Sequence, residues 1–433
     1  MRKILFLLTL LLLVGAPFIT ANAQVKTVRE QASIVNALLA DRYNNLLPSL
    51  MDRAQMDCWV VITREYNEDP ILRTMIPAEW IAARRRTMLV FYRNKEKNTV
   101  EKYAVARYAV GTEIAAAWDV DAIPNQWEAL TSLLRKLNPN KIAINTSADY
   151  GHADGLDHTE YVEFMQSLNE TEKAKVVSAE PLAVSWLETR TAKEMQLYPS
   201  LLEITHAIIK KGFSNEVVKP NVTTTQDLVW WFRQELSDKG LITWFQPSIE
   251  IQRRVSNEKD DVIRPGDFLH IDFGITYLRL NSDVQEHAYV LLPTEKEVPA
   301  DLQAAFTKTN QLQDFLTNEF AIGKSGNAIL KQALTNAKAA GINPSIYTHP
   351  IGFHGHAAGT TIGMWDFQNG VPGSGDYTMK PNTCYSIELN ATHTLTGWDK
   401  PIKVALEQNG YFNGNSFEYI DGRQTKIHAI QPK

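Results

Sequence analysis

Two kinds of apolar pattern, one typical of strands and one typical of helices, alternate along the first part of the chain. Short apolar runs of strand length are separated by segments whose apolar residues recur every three to four positions, which is typical of helices. We predict strands over residues 57–63, 87–92, 102–107, 141–145 and 176–177, and helices over residues 29–47, 125–137, 156–168 and 180–189. Strands that alternate with helices indicate an α/β layer domain, which we place at residues 24–191.

The second part of the chain has longer helical segments and a different arrangement of strands. We predict helices over residues 193–211, 225–239, 300–320 and 326–340, and strands over residues 267–275, 282–292, 384–390 and 403–408. The first two strands read as a hairpin with a turn near residues 279–281. Helices mixed with antiparallel strands indicate an α+β domain, which we place at residues 192–433.

The first 23 residues have the pattern of a secretory signal peptide. A basic start precedes an apolar stretch at residues 4–14, and Ala21-Asn22-Ala23 gives a small-residue cleavage site before Gln24. The alternative is an uncleaved anchor, but the apolar stretch is short for a membrane-spanning helix. We therefore expect the mature protein to be periplasmic or secreted, with no membrane association after signal cleavage.

Composition excludes some classes of partner. The 433-residue chain carries 44 Lys and Arg against 49 Asp and Glu, which gives a formal net charge of −5. It has no basic stripe of the kind that binds nucleic acid, so we expect no nucleic-acid partner. Cys58 and Cys384 lie in different predicted domains and do not indicate a disulfide framework.

Five residues in the second part form a candidate metal-ligand set: Asp272, Asp283, His349, Glu388 and Glu407. Four carboxylates and one imidazole suit Mn²⁺, Co²⁺, Fe²⁺ or Zn²⁺ better than a metal that prefers thiolates. Four carboxylates gathered without cations would repel one another, whereas two divalent ions would balance their charge. Each residue alone is more often a turn residue, a packed imidazole or the solvent face of a strand. The order of the five and the motifs around them favour a metal site.

These motifs resemble those of the pita-bread metallopeptidases, which include Xaa-Pro aminopeptidases, prolidases and methionine aminopeptidases. The sequence IDFG around Asp272, with Asp283 eleven residues later, is similar to the segment of the first two family ligands. His349, Gly352 and His356 match the family pattern HxxGxxxH. The segment KPN…SIE is similar to PGM…TIE, and VALE is similar to IRIED. The resemblance covers residues 196–433.

The resemblance implies an architecture and a chemistry. A creatinase-like α/β domain at residues 24–191 would precede a pita-bread catalytic domain at residues 192–433. Two divalent ions are expected, with Mn²⁺ first and Co²⁺, Zn²⁺ or Fe²⁺ as alternatives, and a hydroxide between them would attack the peptide bond. The substrate would be a peptide. A homodimer is also expected, with the first domain walling the active site or forming the subunit interface.

The resemblance also assigns a role to each candidate residue. Asp283 and Glu407 would bridge the two ions, and Asp272 would bind one ion alone. His349 and Glu388 would bind the other ion, and Glu388 would act as general base and then general acid. His356 would donate a hydrogen bond to the reacting carbonyl oxygen.

Two further histidines lie close to the motifs. His270 shares a strand face with Asp272 by period-two alternation, so it either supports the ligands or is merely packed. His354 has no clear counterpart in the family pattern, and we expect it to line the substrate pocket.

Three positions depart from the family pattern and leave the substrate open. Val255, Ser345 and Ala405 stand where these enzymes carry a histidine, a histidine and an arginine that bind or orient the substrate. The favoured hypothesis is a dinuclear metallo-aminopeptidase or dipeptidase, of Xaa-Pro type. One alternative is a creatinase-like amide hydrolase that works without metal, which the retained ligand set disfavours. The other is a catalytically impaired binding protein on the same scaffold.

Overall fold

The computed structural model describes residues 24–255 and 260–433. The predicted signal peptide at residues 1–23 therefore lies outside the described residues. The helices are α1 (Val28–Asp41), α2 (Leu47–Arg53), α3 (Pro70–Met75), α4 (Gln126–Leu137), α5 (His158–Ser167), α6 (Glu170–Lys173), α7 (Glu180–Glu188), α8 (Ala192–Gly212), α9 (Thr225–Asp238), α10 (Ala300–Thr317) and α11 (Gly326–Ala339).

The strands in the first half of the chain are β1 (Cys58–Arg64), β2 (Arg86–Asn94), β3 (Thr99–Val105), β4 (Ala115–Ala116), β5 (Ile142–Ile144) and β6 (Val176–Ser178). Those in the second half are β7 (Ser248–Gln252), β8 (Phe268–Phe273), β9 (Thr276–Tyr277), β10 (Leu280–Asn281), β11 (Val284–Val290), β12 (Pro344–Ile346), β13 (His349–Ile351), β14 (Thr383–His393), β15 (Ile402–Phe412), β16 (Phe417–Tyr419) and β17 (His428–Ile430).

The first half folds around a mixed sheet with the strand order β4-β3-β2-β1-β5-β6. Strand β1 is central and apolar on both faces. Trp59 and Val61 pack in one cluster with α2 and α7, and Val60 and Ile62 pack in another with α4 and α5. Because successive side chains of a strand point to opposite faces, this split places helices on both sides of the sheet. The predicted α/β layer domain is therefore confirmed.

The helix predicted over residues 29–47 is interrupted. After α1, residues Arg42–Leu46 form a π-helical segment, and α2 then begins with Pro48 in its first turn. Proline has no backbone N–H to continue the hydrogen-bond ladder of a preceding helix, which explains the break.

A buried ion pair joins the two halves. Thr191 and Glu194 form a capping box at the start of α8, and the predicted domain boundary after residue 191 falls at this cap. Glu194 also accepts from Arg42, at 2.9 Å, and neither side chain is exposed to more than 1%. Since an unpaired charge at such depth is costly, this contact holds α8 to the first half.

The second half is built on a curved sheet with the strand order β12-β14-β15-β11-β8-β7. The two long strands β14 and β15 pair in antiparallel register from Thr383↔Phe412 to His393↔Ile402. Ile271 on β8 packs with α8 and α9, while Ile387 and Leu406 pack with α10 and α11. The predicted α+β domain is confirmed.

The predicted hairpin is present as β8 and β11, with a tight turn between the short strands β9 and β10. Leu278 and Arg279 at the turn have φ angles of 54° and 63°, as a type I′ turn requires. The Arg279 guanidinium donates to the carbonyl oxygens of Ile76 and Pro77 in the first half. No helix among residues 24–255 and 260–433 has the length and apolar character needed to cross a membrane.

Candidate metal centre

Four neighbouring strands bring a row of polar side chains across the second sheet. Asp272 on β8 is in register with Gln285 on β11, and Gln285 is in register with Glu407 on β15. Glu407 is in turn in register with Glu388 on β14. Residues directly opposite one another in a ladder share a face of the sheet, so these four side chains form one line.

The two remaining predicted ligands lie on the same face. Asp283 precedes Gln285 by two residues, which is one full period of a strand. His349 on β13 pairs with Ser386, and Ser386 precedes Glu388 by two residues. All five predicted ligands are therefore gathered by strand register, although they are spread over 136 residues from Asp272 to Glu407.

The ligand atoms lie close enough to share cations. Atoms of Asp272, Asp283 and Glu407 fall within 4.8 Å of one another, and so do atoms of His349, Glu388 and Glu407. His349 Nε2 is 3.6 Å from Asp283 Oδ2 and 3.6 Å from Glu407 Oε1. Ligands bound to one ion at about 2.1 Å stand roughly 3–3.5 Å apart, so this spacing needs only a small contraction around an ion.

The imidazole of His349 presents its metal-binding nitrogen to the carboxylates. Nδ1 lies 3.0 Å from the carbonyl oxygen of Pro350, so it carries the hydrogen and donates it there. Nε2 is left with its lone pair. This atom is buried and makes no hydrogen bond with any of the described residues. A backbone acceptor on the far nitrogen is the usual way that a metal-ligating histidine is oriented.

Two of the four carboxylates have a buried oxygen without a hydrogen-bond partner. Asp272 Oδ1 and Asp283 Oδ1 are buried and have no hydrogen-bond donor within the described ranges. Burial raises the pKa of Asp272, Asp283 and Glu388 well above the usual range, and the nearby charge of Glu407 raises it further. Buried acceptors without donors, in a set of hard oxygen ligands, fit divalent cations.

Residues that the sequence patterns did not single out hold this set in place. Ser386 Oγ donates to Glu407 Oε1 at 2.7 Å. Asn409 Oδ1 accepts from the backbone N–H of Asp283 at 3.1 Å, and Asn409 Nδ2 donates to the Asp283 carbonyl at 3.0 Å. Both residues stand two positions from a ligand on the same strand, so period-two alternation around Glu388 and Glu407 was the signal that could have found them.

Gln285 is a third residue that holds the ligand set in place and that the sequence patterns did not single out. Its amide nitrogen donates to Glu407 Oε2 at 2.8 Å and to Glu388 Oε1 at 3.0 Å. Its amide oxygen lies 2.9 Å from His270 Nε2. His270 was expected either to support the ligands or to be merely packed. The structure supports the first role, because the His270 ring contacts the Gln285 amide, which bonds Glu388 and Glu407.

His356 lies at the edge of the ligand cluster. Its ring meets that of His349 edge-on, with 4.7 Å between centroids, and packs against Trp244 at 5.2 Å. Although the side chain faces an open cavity, desolvation by the surrounding protein, with a smaller contribution from His349, lowers the pKa of His356 to about 4. The imidazole is therefore neutral at pH 7 and can donate one hydrogen bond.

A cavity of about 580 Å³ opens beside His356, between the two halves of the chain. Its wall is formed by Arg73, Thr74, His152, Trp244, Thr276, Arg279, Asn281, Phe353, His354, Gly355 and His356. His354 is in the cavity wall, as predicted, and its ring lies 4.2 Å from that of His152. Burial, with a smaller contribution from His152, lowers the pKa of His354 to about 3.

The three departures from the family pattern bring little polar chemistry to the site. Val255 is exposed, and Ser345 lies on β12 opposite Asn390. Ala405 is buried, and its backbone N–H donates to His287 Nε2 at 3.0 Å.

The chain is similar to known proteins, both to a family model and to solved structures. Residues 200–417 match the family model described as metallopeptidase family M24. The X-Pro aminopeptidase from Thermotoga maritima MSB8 superposes with a TM-score of 0.63 and 12% identity, covering 87% of this chain and 99% of that chain. A putative aminopeptidase P from Bacillus anthracis gives 0.61 and 11%, covering 90% and 96%.

A third solved structure, the Xaa-Pro dipeptidase from Bacillus anthracis, gives a TM-score of 0.56 and 14% identity, covering 93% of this chain and all (100%) of that chain. No curated protein sequence matches this chain. At such identities the structural likenesses establish a shared fold, and they confirm the predicted two-part architecture.

Proposed function

Because this chain belongs to metallopeptidase family M24 and has its pita-bread fold, we propose that it hydrolyses peptide bonds near the N-terminus of short peptides. The family assignment makes it a metal-dependent peptidase. The finer proposal is an Xaa-Pro aminopeptidase or dipeptidase that uses two divalent ions, with Mn²⁺ first and Co²⁺, Zn²⁺ or Fe²⁺ as alternatives.

One observation carries the proposal. Three buried atoms that can bind a cation, Asp272 Oδ1, Asp283 Oδ1 and His349 Nε2, have no hydrogen-bond partner in the described part of the chain. They lie on one face with Glu388 and Glu407. A bound cation would satisfy all three, because two carboxylate oxygens and an imidazole nitrogen gathered on one face are donors that divalent metals accept.

Bound divalent ions would supply Lewis acidity and an activated water. Asp272 would hold one ion, His349 and Glu388 would hold the other, and Asp283 and Glu407 would serve both. In agreement with this, Asp283 falls in one ligand group with Asp272 and in another with His349. Glu388 would take a proton from the attacking water and deliver it to the leaving nitrogen. His356, neutral at pH 7, would donate a hydrogen bond to the carbonyl oxygen as negative charge develops on it.

The cavity would hold the peptide. Its volume of about 580 Å³ lies within the usual range of small-molecule sites, roughly 300–1,000 Å³. Trp244 and Phe353 give it apolar walls, whereas Arg73 and Arg279 bring positive charge. His356 lines the cavity and also touches His349, so a peptide there would reach the ligands.

Preference for proline is the least constrained part of the proposal. The names of two of the three compared structures refer to X-Pro or Xaa-Pro, and that specificity is proposed here only by analogy. Val255 and Ala405 cannot supply the hydrogen bonds that a histidine and an arginine would. We therefore expect a weaker dependence on proline than in an enzyme that keeps these side chains.

A peptide panel tests the proposal. The purified protein, loaded with Mn²⁺, would be offered Ala-Pro, Ala-Ala, Ala-Pro-Gly and Ala-Ala-Gly, with product amino acids measured by chromatography. We expect release of the N-terminal residue from at least one peptide, and loss of turnover on chelation. Metal-loaded protein that binds but never cleaves peptides would favour the binding-protein alternative. Amide hydrolysis that survives chelation would favour the metal-free, creatinase-like alternative.

The predicted homodimer stays a proposal. Size-exclusion chromatography with light scattering would give the mass of the particle, against 48.9 kDa for the full chain.

A further inference from the structure

We propose that Gln285 makes the two metal positions differ in their affinity for divalent ions. The ion beside His349 would bind tightly, and the ion beside Asp272 would bind weakly, because it enters only when the amide of Gln285 moves aside. This inference rests on the proposed function in one respect, namely that the ligand set holds divalent ions.

The first ground is strand register. In the sheet, Gln285 stands directly between Asp272 on one neighbouring strand and Glu407 on the other. Adjacent strands are about 4.8 Å apart, so an ion shared by Asp272 and Glu407 must lie over the strand between them. The side chain of Gln285 stands on this face and is only 5% exposed.

The second ground is the pair of hydrogen bonds that the amide makes. The nitrogen of Gln285 donates to Glu407 Oε2 at 2.8 Å and to Glu388 Oε1 at 3.0 Å. Both amide hydrogens are thus directed at carboxyl oxygens of the ligand set. A cation cannot approach these two oxygens from the same side while the positively polarised amide hydrogens occupy it.

The third ground is that His270 holds the amide in this orientation. An amide oxygen can only accept, so His270 Nε2, at 2.9 Å from Gln285 Oε1, must carry the hydrogen. Rotating the amide by half a turn would break this bond and would point its oxygen at the carboxylates. The His270 ring is itself packed against His287, with 5.0 Å between centroids.

The position beside His349 is less obstructed, because among its proposed ligands Gln285 bonds one oxygen of Glu388 but neither His349 Nε2 nor Glu407 Oε1. His349 Nε2, Asp283 Oδ2 and Glu407 Oε1 surround it, with 3.6 Å from the nitrogen to each oxygen. The only described donor to Glu407 Oε1 is Ser386 Oγ at 2.7 Å, which still leaves that oxygen a second lone pair. Glu407 Oε1 thus faces the open metal position beside His349, and Glu407 Oε2 faces the position that the Gln285 amide blocks.

The amide competes with the second ion and does not exclude it. Gln285 brings two hydrogen bonds but no charge, whereas an ion would neutralise the carboxylates. Entry of the ion must break both hydrogen bonds. Removing the amide should therefore tighten the second binding step by about tenfold or more, and should change the first step less.

Calorimetric titration of the metal-stripped full chain with Mn²⁺ tests this inference. The wild type should show two steps of distinct affinity, and Gln285→Ala should show a tighter second step. Gln313→Ala is the matched control, because Gln313 is a fully buried glutamine of the same domain that bonds to Asn310 on its own helix. The control should give the wild-type titration. Elemental analysis at fixed free Mn²⁺ checks the stoichiometry independently.

Outcomes separate this inference from the proposed function. If Gln285→Ala leaves both dissociation constants unchanged, the role of Gln285 is wrong, and the metal-dependent peptidase proposal still stands. If neither the wild type nor the variant binds any Mn²⁺, Co²⁺ or Zn²⁺, both proposals fail. Circular dichroism confirms that each variant is folded. Should Gln285→Ala not fold, Gln285→Ser keeps a short polar side chain that cannot reach both carboxylates, and it carries the same expectation.

Discussion

His356 and His349 stand side by side, yet the proposed chemistry gives them separable roles. The perturbation is a pair of variants, His356→Ala and His349→Ala. Their rings are in edge-on contact at 4.7 Å, but His349 is buried and His356 faces the cavity, so the melting temperature of each variant is needed to separate packing from chemistry. Only His349 directs a nitrogen at two ligand carboxylates, at 3.6 Å from each. A difference in bound metal between the variants therefore reports on ligation rather than on packing.

The expected magnitudes follow from these roles. Losing one hydrogen-bond donor to a developing oxyanion typically costs about 10²–10³ in kcat. We expect His356→Ala to fall in that range, with KM and bound metal little changed. His349→Ala removes a ligand atom and should release or weaken one ion, so its activity should partly return at high Mn²⁺. Added Mn²⁺ should not restore His356→Ala.

The assay combines three measurements on each variant: bound metal by elemental analysis, melting temperature, and kcat on the best peptide of the panel. His356→Gln, which keeps an N–H donor, should recover part of the lost kcat. Equal metal loss in both alanine variants would refute the division of roles. Full activity in His356→Ala would remove this residue from the catalytic set and favour a different substrate or mechanism.

Three further predictions follow from the same structure. Metal-stripped protein should lose stability as pH rises above about 4. Burial raises the pKa values of Asp272, Asp283 and Glu388, so the folded state holds protons that the unfolded state releases. Chemical denaturation from pH 5 to 8 measures the free energy of unfolding, and a rise in that free energy with pH would contradict the prediction. Asp283→Ala should lose metal and turnover, and two ions per chain with normal activity would disprove the bridging role. Mass spectrometry of the protein from its native host should find an N-terminus at or near Gln24, and an intact Met1 would overturn the secretion proposal.

The sequence patterns predicted the segments with long periodicity, and also the three-residue strands β5 and β6. Segments such as α8 and α10 carry several turns of apolar spacing, and the β8–β11 hairpin carries alternation on both sides of a turn. Strands β12 and β13 are equally short but were not predicted, and each contains a proline, which is depleted in strands. Strand β7 was missed for another reason, since this edge strand is mostly half-exposed and has no apolar run.

The candidate ligands were predictable because each lies within a motif of recognisable order. Their assembly on one face then follows from the register of β8, β11, β15 and β14. Gln285 was not predictable in this way. Its importance depends on being the cross-strand neighbour of both Asp272 and Glu407, and register between distant strands is not visible in a single sequence. The roles of the five ligands stay predictions until metal is measured.

The most direct test of the central claim is the rate of peptide hydrolysis as Mn²⁺ is returned to the chelated protein. Turnover should be absent without metal and should rise with bound Mn²⁺, in parallel with the metal content measured on the same samples. Asp283→Ala, treated identically, should stay inactive. Peptide hydrolysis that is equally fast before and after chelation, in a sample shown to hold no metal, would contradict the account.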